Sequence, residues 1–273
     1  MDRDHCPGRD RDLLHRAYRA DSGRKNQNYV TGLLFIFIVG AVLYATRALT
    51  PTMLENLLDY PVATTGLVTA PAGIGAMFSM LIAGRIIGKI DLRLILFCGF
   101  GLTGLALWRM AHYSLDLSKG DIIWPGVIQG IGTGLVIVPL STATFSTLSR
   151  QMRAQGTALY SLMRNIGSSI GISLVQTMFV RNTIISHASL VERVTAASPA
   201  WNNPAIAAAY DVKTPGGAAL LDSVVTQQAA MIAYTNDYWL MFFLTLLVIP
   251  LLFLVRPGPR ASIAAVDVHA VMD

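Results

Sequence analysis

Long apolar segments, separated by connections that carry most of the charge, constrain this chain more than any other feature of its sequence. Hydrophobic residues make up 53% of the 273 residues and charged residues 14%, which excludes an ordinary soluble domain. Six segments reach the roughly 20 residues with which a helix crosses about 30 Å of hydrocarbon. Backbone amides in lipid must be paired within their own segment, and the sequence lacks the alternating pattern of a β-barrel. We therefore predict an all-α polytopic membrane protein with spans near 30–50, 63–87, 93–113, 122–147, 155–180 and 237–255.

The basic residues lie on alternate connections, and this asymmetry predicts the orientation of the chain. Lysine and arginine are enriched in the cytoplasmic connections of membrane proteins. The opposite connections hold Glu55 with Asp59, and Asp116 with Lys119 and Asp121. We therefore expect both termini on the cytoplasmic side. The residues on that side are Arg3, Arg9, Arg11, Arg16, Arg19, Arg24, Lys25, Arg85, Lys89, Arg93, Arg150, Arg153, Arg256 and Arg260.

Three regions follow from this pattern. Residues 1–29 form a basic cytoplasmic leader. This segment has too few apolar residues to form a core, so we expect it to be disordered. Residues 30–257 form the six-helix bundle, which includes an extracytoplasmic loop at 181–236, and residues 258–273 form a cytoplasmic tail. Within the loop, apolar residues between 220 and 232 fit a helix lying on the membrane surface, although a polar loop with one helix fits equally well.

Two classes of protein are excluded by the motifs. A GxGxxG match at Gly99, Gly101 and Gly104 lies inside a predicted span rather than in a βαβ unit, so helix packing explains it better than a nucleotide. The histidines are scattered, and the sequence shows neither a P-loop nor a nucleophile beside a base. We therefore predict no enzyme, no metal and no cofactor. The net charge of +5 forms no continuous basic face, so we also expect no nucleic-acid partner.

A charged turn joins the second and third predicted spans. Three cations, one carboxylate and two glycines are packed into ten residues, which leaves room only for a tight hairpin at a membrane face. We call residues 84–93 the gate loop. Its polar and glycine residues are Gly84, Arg85, Gly88, Lys89, Asp91 and Arg93.

Glycines repeat at four-residue spacing on two predicted spans. Small residues at this spacing line one face of a helix and let a neighbouring helix approach closely. Packing within the chain is the simpler interpretation, and a gating or sliding role is the sharper one. The glycines are Gly126, Gly130 and Gly134 on the fourth span, and Gly167 and Gly171 on the fifth.

Polar side chains within the spans are costly in hydrocarbon, so each needs an explanation. Arg164 lies about ten residues into the fifth span, with Asn165 beside it and Tyr160 one turn earlier. We expect its side chain either to line a polar pathway through the membrane or to bind a backbone carbonyl. Gln129 on the fourth span is a second candidate for the lining of such a pathway.

The remaining charges of the spans lie near their ends. Arg47 and Arg109 are weaker candidates for the pathway, because their side chains can reach the headgroups. Carboxylates such as Asp237 are expected only at the edges of spans, so a membrane-embedded proton carrier is missing from this sequence.

Together these residues resemble the major facilitator superfamily. The gate loop is similar to the second copy of the loop signature of that family, although the aspartate-arginine pair is absent. The surrounding motifs resemble the fourteen-span drug:proton antiporters of the EmrB multidrug efflux type, over residues 28–257. Those motifs are Ala70-Pro71-Ala72-Gly73, Leu107-Trp108-Arg109, Trp124-Pro125, Ile128-Gln129-Gly130, Pro139-Leu140-Ser141-Thr142, Arg164-Asn165 and Gly167-Ser168-Ser169-Ile170-Gly171.

The resemblance implies a six-helix C-terminal bundle only. Such transporters hold substrate between two bundles and alternate access by rocking, with the gate loop as a cytoplasmic latch. It implies a truncated gene, a fragment or one half of a split transporter, with the proton-coupling carboxylates mainly in the other half. The alternatives are a six-span half-transporter acting as a homodimer and a non-transporting membrane scaffold.

The resemblance also implies a location and a set of partners. The expected location is the bacterial cytoplasmic (inner) membrane, where the bundle contacts lipid. The expected partners are a missing N-terminal half or a second copy, a periplasmic adaptor protein as in EmrB-type systems, and an amphipathic drug-like substrate.

Overall fold

Six helices make up the computed structural model, which describes residues 7–145, 148, 152–193, 210 and 214–252, with side chains from Tyr29 onward. Within those residues the chain has no strand, apart from an isolated bridge between Ile87 and Ile90. The predicted all-α fold is therefore confirmed. The helices are α1 (Pro7–Asn56), α2 (Val62–Ile86), α3 (Leu92–Met110), α4 (Lys119–Phe145), α5 (Arg153–Arg193) and α6 (Pro215–Leu251).

Five helices are long and apolar enough to cross a membrane, counted over the described residues. They are α1, taken from Tyr29, and α2, α3, α4 and α6. Helix α5 does not meet this description, because its apolar residues are interrupted by polar side chains such as Arg164 and Asn165. The count of six spans stays a prediction.

Two helices extend well into the region where the sequence predicted a long loop. Helix α5 continues to Arg193, and α6 begins at Pro215, so residues 181–193 and 215–236 are helical rather than a loop at 181–236. The reason lies in the local sequence, since neither 181–193 nor 218–236 contains glycine or proline. Thr214 caps α6, because its hydroxyl accepts a hydrogen bond from the amide of Gly217 at 3.1 Å.

The N-terminal boundary also differs from the expected one. Helix α1 begins at Pro7, inside the segment 1–29 for which we predicted disorder. The predicted tail at 258–273 lies outside the described residues.

Helix α1 is the centre of the bundle. It packs against α5, α4, α6 and α2, while α3 packs against α4 and α6. One core cluster surrounds Met53, Leu107 and Tyr238, and a second surrounds Phe35, Leu96 and Leu140. The outer faces carry exposed apolar side chains such as Leu67 on α2, as lipid contact requires.

Glycines set the closest helix crossings. A Cβ at Gly130 would collide with the carbonyl oxygen of Ala72, and one at Gly134 would lie 2.7 Å from the carbonyl oxygen of Ala76, so α4 packs directly on the backbone of α2. Helices α1 and α5 meet in the same way, since a Cβ at Gly171 would lie 2.5 Å from the carbonyl oxygen of Ala41. A Cβ at Gly167 would collide with the backbone of Phe37.

We expect Gly130→Val to destabilise the bundle by about 1–3 kcal/mol, because the added atoms overlap backbone that cannot rotate away. Thermal unfolding of the purified chain in mild detergent measures the change. Gly101→Ala is the matched control, because a Cβ there meets nothing within 4 Å. Equal melting temperatures for the two variants would contradict the packing role of Gly130.

Candidate functional site

A polar cavity of about 310 Å³ lies between α1, α2 and α4. Its lining combines small residues with a few polar side chains, which suits a site that binds an amphipathic molecule. The polar lining residues are Thr46, Arg47, Thr50, Thr69 and Gln129. Two of these, Arg47 and Gln129, are sequence candidates that the fold brings to one place.

Gln129 is positioned by the glycine face of α4. Gly126 and Gly130 bring this part of α4 against Ala72 of α2, so the side chain beside them is enclosed, and it is 9% exposed. Its Nε2 is buried without a hydrogen-bond partner among the described residues. A buried amide donor of this kind favours an acceptor on a ligand, because leaving it unpaired is costly.

Two threonines of α1 that line the cavity, Thr46 and Thr50, are held by hydrogen bonds. Thr46 donates to the carbonyl oxygen of Val42 at 2.8 Å, and Thr50 donates to the carbonyl oxygen of Thr46 at 3.0 Å. The Thr50 hydroxyl also lies 3.0 Å from the hydroxyl of Tyr238 on α6. The cavity wall is thereby connected to α6 by a pair of hydroxyl groups.

Arg164 and Tyr160 come together on α5, apart from the lining of the cavity. Tyr160 is 6% exposed and packs against Phe145 with ring centroids 5.1 Å apart. Arg164 is half-buried, its Nε has no hydrogen-bond partner among the described residues, and its carbonyl faces Gly40 of α1.

A polar stripe on α5 extends from Asn165. Its members recur at intervals of four, four and three residues, so they share one helix face, and all are exposed. The four-residue spacing from Asn165 to Ser173 is visible in the sequence, although only Asn165 was predicted to line the pathway. The stripe consists of Asn165, Ser169, Ser173 and Gln176.

Arg109 lies away from these groups. It is exposed at the end of α3, on the same side of the bundle as Tyr113 and Asp121. This position supports the alternative in which Arg109 reaches the headgroups rather than the pathway.

The gate loop is the tight hairpin that the sequence predicted. Helix α2 ends at Ile86 and α3 begins at Leu92, with Gly88 at φ +92° in the left-handed region that favours glycine. Asp91 caps α3, because its Oδ1 accepts a hydrogen bond from the amide of Arg93 at 3.1 Å. The function of this loop as a latch stays a prediction.

The burial of Asp237 was not apparent from the sequence. The predicted span began at 237, so this carboxylate was assigned to an edge, but α6 begins at Pro215 and Asp237 lies in its interior. Its side chain is 1% exposed, and both carboxylate oxygens lack a hydrogen-bond partner among the described residues. The carboxylate is therefore buried within the bundle, and its position at the edge of a span stays a prediction.

The apolar exterior and the five helices long enough to cross a membrane, counted over the described residues, define a polytopic membrane protein. The family model described as Major Facilitator Superfamily matches residues 11–172, which is more than half of the chain. The chain therefore belongs to the major facilitator superfamily.

Relatives with names identify its type within the superfamily. The fatty acid resistance protein FarB of Neisseria gonorrhoeae is 26% identical over 85% of this chain and 46% of its own length. The multidrug export protein EmrB of Escherichia coli is 25% identical over 85% of this chain and 46% of its own. The multidrug export protein EmrB of Haemophilus influenzae is 26% identical over 80% of this chain and 43% of its own length. The family and these names point to a transporter of the EmrB type rather than an enzyme, and the chain spans about half the length of the relatives it matches.

We expect the cavity to be reachable by water-soluble reagents. In a chain whose native cysteines are replaced by serine, Thr69→Cys should react with a cationic methanethiosulfonate, because Thr69 lines the cavity. Leu105→Cys is the matched control, since Leu105 is 48% exposed on the apolar surface of α3 and should meet lipid or detergent. Labelling is read by mass spectrometry in vesicles, and faster labelling at Leu105 would contradict an aqueous cavity.

Proposed function

We propose that this chain is the C-terminal bundle of a proton-coupled multidrug efflux transporter that works by alternating access. The bundle pairs with an N-terminal half, and neither half transports alone. The bundle lies in the bacterial inner membrane, with both termini in the cytoplasm. The relatives' coverage supports the assignment to one half, because each match extends over less than half of the relative.

The polar stripe of α5 carries this proposal. Exposed polar groups against hydrocarbon lose hydrogen bonds to water without a substitute. A stripe of this kind therefore meets a water-filled pathway or a second polar protein surface. In a two-bundle transporter the substrate pathway between the bundles provides both.

The cavity between α1, α2 and α4 supports the substrate class. Gln129 and Arg47 offer hydrogen-bond donors to a polar group, while the surrounding small and apolar residues accommodate a lipophilic body. The names of the relatives refer to fatty acid resistance and multidrug export, and both names suit amphipathic molecules. We propose an amphipathic drug-like substrate for this chain, and a periplasmic adaptor as a further partner.

Coexpression tests the proposal directly. The chain is produced in an efflux-deficient Escherichia coli strain together with the N-terminal part of EmrB that precedes the matched region. We expect ethidium efflux that stops when a protonophore collapses the proton gradient. The C-terminal part of EmrB, supplied as a separate chain, is the positive control, and this chain expressed alone is the negative control.

The outcomes separate the alternatives. Efflux by the chain alone, with a crosslinked dimer in mild detergent, would favour the homodimer and contradict the proposed pairing. A pair that assembles without efflux, while the positive control transports, would support the membrane scaffold.

Arg164 should be required for transport by the active pair. We expect Arg164→Ala and Arg164→Leu to lower ethidium efflux at least about tenfold, or about 1.4 kcal/mol, with expression unchanged. The reason is loss of the cation beside the polar stripe of α5. Ile166→Ala is the control on the same helix, because Ile166 is an exposed apolar side chain. Normal efflux by Arg164→Ala would remove this residue from the pathway.

A further inference from the structure

Asp237 is a carboxylate enclosed by the bundle. It lies on α6, which packs against α5, α3 and α1. The side chain is 1% exposed, and the tyrosines flanking it, Tyr234 and Tyr238, are 2% and 0% exposed. A carboxylate in such a place needs a cation, hydrogen-bond donors or a proton, because isolated charge is costly away from water.

The described residues pair neither a cation nor a hydrogen-bond donor with Asp237. Both oxygens of Asp237 lack a hydrogen-bond partner among the described residues. The Nε2 atom of His187 on α5 lies 3.1 Å from Oδ1 of Asp222 on α6, but within the described part of the chain no such contact includes Asp237. Among the described residues, therefore, nothing compensates a negative charge on Asp237.

Two buried tyrosines of α6 lie close to Asp237 in the sequence. Tyr234 precedes it by three residues, about one helical turn, and Tyr238 follows it directly. Each neighbouring helix adds a contact to this group, and Arg109 and Asp121 are the charged residues next to the contact from α3. Those contacts are Tyr113 and His112, just after α3, on Tyr238 and Trp239, Phe179 of α5 on Tyr234, and the Thr50 hydroxyl of α1 on Tyr238.

The same region touches the polar cavity. Thr50 lines the cavity, and its hydroxyl lies 3.0 Å from that of Tyr238, the residue after Asp237. Helix α6 thus reaches the substrate side of the bundle through one hydroxyl pair. A change in the packing of α6 would therefore move or break the contact between Tyr238 and Thr50 at the cavity wall.

We propose that Asp237 is a proton-binding site of this bundle. The step is simple: one proton adds to a carboxylate oxygen to form the neutral acid, and the reverse step releases it to water. The neutral acid costs far less than the anion in the enclosed site, because it carries no net charge. The anion needs water or a cation, so release of the proton favours an arrangement in which α6 opens toward the cavity.

Proton binding by Asp237 depends only on the structure of this chain. The coupling of proton binding to drug export rests on the proposed function. Asp237 would thus give this bundle a proton carrier, which the sequence did not predict. Because the chain can be studied without its other half, the two ideas can fail separately.

Infrared spectroscopy of the purified full chain in lipid tests proton binding. We expect a carboxylic-acid C=O band at neutral pH, where exposed carboxyls are ionised, and its loss in Asp237→Asn. Asp222→Asn is the matched control, because Asp222 lies on the same helix and is exposed. If Asp237→Asn does not fold, Asp237→Glu should keep the band at a shifted frequency.

Two results would overturn the proposal: no acid band at neutral pH, or a band unchanged in both Asp237 variants. Transport then tests the coupling in the active pair, where Asp237→Asn should abolish the dependence of ethidium efflux on external pH. An assigned acid band with unaltered pH dependence would leave Asp237 a proton site uncoupled from export. Failure of the pair to transport at all would count against the proposed function, while the infrared result would still stand.

Discussion

Close backbone contact at glycines is the interaction on which the rest of this bundle depends. In hydrocarbon, apolar side chains gain little by leaving lipid for protein, so helices associate through tight packing and polar contacts. Helix α4 packs on α2 at Gly130 and Gly134, and α1 packs on α5 at Gly167 and Gly171. A side chain at any of these positions would push apart the helices that enclose the cavity and hold α1 at the centre.

The glycine contacts also decide where polar groups are tolerated. Gln129 follows Gly126 by three residues on α4 and is enclosed where α4 meets α2, while Arg164 lies where Gly40 lets α1 approach α5. Polar side chains thus line the cavity and part of the exposed surface of α5, whereas much of the surface of α2 and α3 is apolar.

Prediction from sequence was strongest where a pattern is local. The apolar segments, the hairpin at 84–93 and the four-residue glycine spacing each depend on neighbouring residues alone, and each has a direct structural meaning. Prediction was weakest at helix ends in polar sequence. Hydropathy marks where a helix enters hydrocarbon, but helix formation continues until a breaker or cap, and therefore α5 reaches Arg193 and α6 starts at Pro215.

The sequence by itself determined an all-α membrane fold and the family to which the chain belongs, because segment length, apolar composition and short motifs are properties of the chain in one dimension. The tertiary structure alone decided which polar residues meet. It placed Arg47 with Gln129, set Arg109 apart from them, and enclosed Asp237 among helices far from it in sequence. Burial depends on what packs against a helix, and no local pattern carries that information.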